Sequence, residues 1–272
     1  LSDNTIHEIT VMLTERDTKG VRPNCEKNWV IALERHFGRP YRILFKWSDV
    51  WSSFGTPLSD PTEEKAWRRL VHRAIDAKNR HSKSPTNPNP DHKCRLRCGE
   101  RDESMLHMVT CRNSRPYWSA CLSFCHKVLG APPNLSLVEA IVFNVSQTGS
   151  QSGTELLGEA VRAFLRHAVG KWYASMTAVF REGKIFVWEA TFLWTVQGFR
   201  TAVLRRCYNI KKHYANRVHT NLVAVVSEEE RAKYPTLVSI QKDGEHKLTT
   251  NFERAIDDAE RAREATATHQ RQ

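Results

Sequence analysis

The run Cys94-x3-Cys98-x8-His107-x3-Cys111 constrains this chain more than any other feature. Three thiols and an imidazole in that order suit a tetrahedral ion whose site is closed by Cys and His alone. Cys94 and Cys98 fall in a short turn, and Gly99 behind them can take the positive φ that lets two sulfurs face one point. Asp102 or Ser104 is placed to cap a short helix. His107 and Cys111, four residues apart, would share one face of that helix. The spacing therefore predicts a zinc knuckle with one looped half and one helical half, ligated by Cys94, Cys98, His107 and Cys111.

Cysteine usage favours metal over disulfides. The chain has seven cysteines, an odd number, and five of them fall between Cys94 and Cys125. A tight cluster containing His, with no secretory leader, reads as metal ligation in an intracellular protein, nuclear or cytoplasmic. Cys121, Cys125 and His126 lie just downstream and offer an alternative ligand source, while Cys25 and Cys207 read as ordinary buried or spare thiols. No apolar run is long enough to cross a bilayer. The chain starts at Leu1, which is the expectation for a fragment, a processed product or an incomplete gene model.

The 272 residues read as mainly α. Residues 1–81 form an N-terminal helical region, 82–130 the zinc-binding module, 131–153 a linker, 154–219 a basic helical hairpin, and 220–272 a β-hairpin with a terminal helix. In the first region, Trp29, Val30, Leu33 and Phe37 recur at helical spacing from Glu26 and end at Gly38. Trp47 and Trp51 are core aromatics. A second helix opens at Asp60-Pro61 and is predicted to reach Arg80, with Glu63 and Glu64 set against its N-terminal dipole. The run Ser82 to Asp91 holds three prolines among small polar residues and reads as a linker. Ser146 to Gly153, rich in Ser, Gly and Gln, reads as a second one. Ser114 and Pro116 start a helix carrying Trp118, predicted to pack over the metal-bearing turn.

Two long periodic segments, 154–180 and 187–216, are separated by Glu182-Gly183 and predict an antiparallel helical hairpin. Leu157, Val161, Phe164, Leu165, Ala168 and Trp172 line one helix, and Phe192, Val196, Phe199 and Val203, with Cys207 a further candidate, the other. Farther on, Leu237 to Ile240 and His246 to Thr249 flank an Asp243-Gly244 pair, the signature of a β-hairpin turn. Asn251 is the predicted cap of the last helix, on which Asp257 and Asp258 read as solvated acids.

The formal net charge of +11, from 41 Lys and Arg against 30 Asp and Glu, sets up a field that draws polyanions. Arg68, Arg69 and Arg73 on the second helix, Arg95 and Arg97 in the Cys turn, and Arg205, Arg206, Lys211 and Lys212 near the end of the hairpin are the candidate phosphate contacts to RNA or DNA. A solvated charged face is the competing reading of the second helix.

The segment also resembles a known family. Cys-x3-Cys-Gly-Glu, Glu-Ser-x2-His, x3-Cys and a following Trp, after the helix Trp67-Arg-Arg-Leu-Val-His-Arg-Ala74, is similar to the CCHC zinc-binding region behind the polymerase of non-LTR retrotransposon reverse transcriptases. The resemblance covers about Glu64 to Leu129; the family usually has two residues in the first gap and four in the last, where this chain has three and three. It implies Cys94, Cys98, His107 and Cys111 as ligands, Trp118 as packing aromatic, nucleic acid as partner and a polymerase domain upstream.

No catalytic constellation accompanies it. The chain carries no paired aspartates on a tight turn, no Gly-rich phosphate loop and no nucleophile elbow. Four protein ligands would leave a zinc ion no open position for an activated water. The sequence thus reads as a non-enzymatic, zinc-stabilised nucleic-acid-binding segment of a retroelement polyprotein or its relic; the alternative is a scaffolding protein whose basic helices bind an acidic protein partner.

Overall fold

A computed structural model describes residues 21–38, 40, 45–55, 58, 61–75, 77, 93–100, 102–147, 154–215, 238–240 and 246–269, and of residues 21–24, 147, 154, 207–215, 238–240, 246, 247 and 269 the backbone alone. The chain is mainly helical, with small antiparallel strand pairs. In chain order the elements are α1 (Val21–Phe37), α2 (Trp47–Ser52), α3 (Pro61–Val71), α4 (Met105–Thr110) and α5 (Arg115–Leu129). A π-helical turn (Glu139–Phe143) follows, then β1 (Val145–Gln147), β2 (Thr154–Leu156), α6 (Glu159–Glu182) and α7 (Trp188–Ala215). β3 (Val238–Ile240), β4 (His246–Leu248) and α8 (Thr250–His269) complete the order. No described helix is long and apolar enough to cross a membrane.

One hydrophobic core runs from Cys25 on α1 to Ile256 on α8. Its centre is the meeting of α5, α6 and α7, where Tyr117 is wholly buried and its hydroxyl lies 2.7 Å from Ala168 O and 2.9 Å from Thr195 Oγ1. The predicted apolar stripes are inside: Leu157, Val161, Phe164 and Trp172 on one side, Val196, Phe199 and Val203 on the other. Helices α6 and α7 contact at Ser175 with Thr191, Lys171 with Trp194 and His167 with Phe199, so they pack in opposite directions after a turn at Gly183, whose φ is +65°. α8 closes the far side, with Phe252 buried against Phe124 and Phe199.

Several boundaries differ from expectation, each for a visible reason. α3 stops at Val71, short of Arg80. The Val71 carbonyl, which a continuing helix would offer to its own next turn, accepts the Trp29 indole N–H (2.6 Å) and the Cys25 thiol (3.1 Å), and Arg73 turns left-handed at φ +53°. Glu63 and Glu64 do more than face a helix dipole, because both are buried. Residues expected to form the linker up to 153 include the buried π-turn and β1, and β1 pairs with β2 in the register Val145↔Leu156. Consequently α6 begins at Glu159 and 154–156 are strand. β3 and β4 pair as Val238↔Leu248, while their Asp243-Gly244 turn lies outside the described residues, as does the proline-rich run 82–91. Asn251 sits inside the first turn of α8, and it is the Thr249 carbonyl that accepts from Phe252 N and Glu253 N.

The α3–α6 contact rests on buried charge. Arg166, fully buried, donates to Glu64 Oε2 (2.9 Å), Asn144 Oδ1 (3.1 Å) and Ser53 O (2.6 Å), with its guanidinium 3.9 Å from the Trp67 ring centre. Burial pushes its pKa down to about 10 against the pull of Glu64. Beside it Glu63 lies 2.5 Å from His167 Nδ1 and 2.8 Å from Lys171 Nζ. Burial alone would raise the Glu63 carboxyl, and these two partners outweigh it and hold it below the ordinary range. Such groups pay their desolvation only when every partner is present.

At Gly170 α3 lies close against α6. A Cβ there would stand 2.7 Å from Glu63 Cγ and 3.1 Å from Glu63 Cα, so a backbone would have to move. Helix propensity by itself favours Gly→Ala by about 1 kcal/mol. Here Gly170→Ala is expected to destabilise the protein by roughly 1–3 kcal/mol, the usual range for overpacking, in urea unfolding. A gain in stability would contradict the close crossing.

Candidate metal centre

The metal segment has little regular structure of its own. Backbone bonds shape its first half: Arg97 N donates to Cys94 O (2.9 Å) and Cys94 N to Glu100 O (3.1 Å). Arg97 and Gly99 both take positive φ, +54° and +92°, and the chain folds so that Cys94 and Cys98 point inward. Glycine at 99 carries such a conformation without the steric cost a side chain adds. The second half is α4, whose N-cap is Ser104: its hydroxyl accepts from His107 N at 3.0 Å. Cys111 stands just past the helix as its C-cap, with an extended ψ of 133°, rather than on the helical face next to His107. It is held by its carbonyl, which accepts from Ser114 N (3.0 Å), Arg115 N (3.0 Å) and Ser114 Oγ (2.9 Å). Asn113 Nδ2 donates to Leu96 O (2.7 Å) and ties the two halves together.

The result is convergence. One ligand atom each from Cys94, Cys98, His107 and Cys111 lies within 4.8 Å of the others, the three cysteines are buried and His107 is half-buried. Cys94 Sγ and Cys111 Sγ are 3.7 Å apart, and Cys98 Sγ is 3.3 Å from His107 Nε2. These residues could hold a metal ion, and no other such grouping of His, Cys, Asp and Glu exists among the described residues. Without an ion the close thiols interact with each other. Hydrogen bonding to Cys111, and then burial, push Cys94 up to about 12, while the same bond from Cys94 lowers Cys111. Its hydrogen bond with Cys94 raises His107 above the usual imidazole range.

Cys121 and Cys125, the alternative ligands, belong to the helical core instead. Both are wholly buried in it and burial raises both thiols, so they behave as apolar side chains. His126 Nδ1 is 2.9 Å from Ala131 O. Cys25, similarly buried, is pushed up to about 11. Trp118 is fully buried with its ring against Tyr117 (4.8 Å) and Trp172 (5.3 Å), so it joins α5 to α6.

The candidate phosphate-binding residues separate into groups. Arg95 is a correction: it is buried and cannot reach a polyanion. Its guanidinium grips Glu103 (2.7 Å and 2.9 Å) and donates to Met176 O (3.2 Å), and its own backbone N–H also donates to Glu103 (2.6 Å). Arg73 donates to Asn28 O (2.6 Å) over the Trp29 ring. Arg68 is exposed beside Glu64 and Phe54, and Arg97 is exposed on the Cys turn. Arg69, Arg205 and Arg206 come together in one cleft. Lys211 and Lys212 lie on α7, with side chains outside the described residues.

Sequence reasoning did not single out Glu103, Arg166 or His167. A signal existed for the last two: Arg166 and His167 interrupt the apolar run Ala163-Phe164-Leu165 and Ala168-Val169, which places them inside the helix packing. Glu103 had no comparable signal, because its partner Arg95 reaches it only once the Cys turn is folded.

Arg95 links the Cys turn to both Glu103 and α6, and Glu103 is fully buried. Arg95→Ala would strand that carboxylate, and a loss of roughly 3–5 kcal/mol in urea unfolding is expected. Glu103→Gln, which keeps the shape and one acceptor, should lose less. An effect of Arg95→Ala no larger than that of a surface arginine would contradict this role.

Comparison of the chain with family models, with curated proteins and with solved structures gave no match.

Proposed function

We propose that Cys94, Cys98, His107 and Cys111 bind a structural zinc ion, and that the protein is a zinc-stabilised nucleic-acid-binding segment of the kind that follows the polymerase of non-LTR retrotransposon reverse transcriptases. The carrying observation is the convergence of the four ligand atoms within 4.8 Å. A tetrahedron with Zn–S bonds near 2.3 Å and a Zn–N bond near 2.0 Å has S···S edges of about 3.8 Å and S···N edges of about 3.5 Å. The separations of 3.7 Å and 3.3 Å match those edges closely. Soft thiolates with one imidazole favour zinc over the oxygen-loving cations. In this reading the looped Cys94–Cys98 half is a knuckle, and α6 with α7 is a helical hairpin that carries basic side chains.

Zinc here supplies folding energy rather than chemistry. The four ligands close the coordination sphere, and Cys94, Cys98 and Cys111 form a small buried cluster apart from the main core. A loop with so little apolar surface of its own gains on the order of 10 kcal/mol from a structural zinc. The nucleic-acid part of the reading is supported by the net charge of +11 and by exposed Arg68, Arg69, Arg97 and Arg205. An upstream polymerase domain is the partner that the family resemblance implies.

Elemental analysis tests the metal. The wild type is expected to carry about one zinc per chain, and Cys98→Ser and His107→Ala to lose most of it, because a closed site needs all four ligands. Cys121→Ser should retain it. Unchanged zinc in the first two variants would refute the ligand set.

Protons compete with the ion for the same atoms. Cys94 without metal sits at about 12 and His107 is raised, so binding at neutral pH must expel protons. The sign is therefore fixed: zinc affinity falls as pH drops, and calorimetry in buffers of different ionisation heat should show proton release on binding. Affinity independent of pH between about 6 and 8, across which thiols and imidazole compete for protons, would contradict it.

A further inference from the structure

Between α3, α6 and α7 lies a cleft of about 990 Å³, at the upper end of the range for ligand pockets. Five cationic side chains line it: Lys65 and Arg69 from α3, Lys171 from α6, and Arg205 and Arg206 from α7. Its acids are already neutralised. Glu63 is held by His167 and Lys171, and Glu182 pairs with Lys184 at 2.6 Å. Lys65, Arg69 and Arg205 are exposed and have no acidic partner among the described residues.

An aromatic ring stands among these charges. Trp194 is 46% exposed, where every other indole of the chain is buried or half-buried, and it lines this cleft. Its position is fixed. Lys171 Nζ lies 4.7 Å from the ring centre, and the same ammonium is anchored 2.8 Å from Glu63 Oε1. Gly198, one turn after Trp194, makes room for that lysine: a Cβ there would stand 3.1 Å from Lys171 Cε. A held, half-open indole bordered by unpaired cations has the two components of single-strand recognition, a stacking platform and an electrostatic track for phosphates. A duplex keeps its base faces stacked and cannot use such a ring.

We infer that this cleft seats single-stranded nucleic acid, with Trp194 stacking on a base and Lys65, Arg69 and Arg205 contacting phosphates. The inference rests on the nucleic-acid reading above and gives it a location away from the metal ligands.

Fluorescence anisotropy of the zinc-loaded full chain tests it, with labelled oligouridylate, oligothymidylate and a duplex of equal length as probes over a range of salt. Both single strands should bind more tightly than the duplex, and their ratio separates RNA from DNA as the source. Trp194→Ala should weaken single-strand binding roughly tenfold, and Trp194→Phe should restore most of it. Lys65→Glu with Arg69→Glu should flatten the salt dependence by about two in log–log slope, whereas Arg254→Glu with Arg263→Glu, both exposed on α8 and outside the cleft lining, serves as the matched charge control. Circular dichroism confirms that the variants are folded.

The outcomes are distinct. No binding of any probe by the wild type would overturn the nucleic-acid reading itself. Binding that persists in the cleft variants at the level of the Arg254→Glu with Arg263→Glu control would overturn the cleft alone. Equal affinity for duplex and single strand, or displacement of the strand by polyglutamate at equal charge concentration, would overturn the single-strand assignment, the latter in favour of an acidic polypeptide.

Discussion

The convergence of three sulfurs and one imidazole within 4.8 Å is the constraint on which the middle of this protein depends. Among the described residues from Lys93 to Cys111 the only helix is the six-residue α4, and the cysteines cluster apart from the main core. A six-residue helix is far below the length that holds without tertiary support. What holds the segment in place is the burial of Met105, Leu106, Met108 and Val109 of α4 in the main core, together with a few polar ties: Ser104 at the helix start, Asn113 to Leu96, and Arg95 to Glu103. Arg95 also reaches Met176 O, and through it the geometry around the candidate ion is coupled to α6 and the helical core.

The remainder stands on a different principle. Tyr117, Trp118 and Trp172 knit α5 to α6, and α8 covers the outer side with Phe252. Buried charges then join α3 to α6, through Arg166 with Glu64 and Glu63 with His167 and Lys171. The same Glu63 holds the lysine that borders Trp194. A packing contact and a candidate binding surface therefore share a residue, and changes at Glu63 would act on both.

Periodicity and ligand spacing were legible in advance, whereas partnerships across long separations were not. The apolar stripes on α6 and α7 and the four residues that converge at the candidate metal site could be read from spacing, because each depends on residues close in the chain. The end of α3 could not, since it is set by Trp29, which donates to Val71 from 42 residues away. Arg95 illustrates the same limit. Its sequence context is that of an exposed cation beside Arg97, yet a fold-dependent carboxylate draws it inside. The segment ahead of β2 reads as a linker by composition, while its π-turn is buried because Asn144 turns left-handed and its side chain accepts from Arg166.

Charge and metal have separate work in this account. In the proposed reading an ion would tie the Cys94–Cys98 turn, with few apolar contacts of its own, to α4, and exposed cations elsewhere would set where a polyanion lies. Zinc K-edge X-ray absorption on the purified protein tests the central claim most directly. Three sulfur neighbours near 2.3 Å and one nitrogen near 2.0 Å are expected, the distances of a closed Cys3His site. A shell of oxygen or nitrogen alone, or sulfur signal that survives replacement of Cys94, Cys98 and Cys111 together, would contradict it.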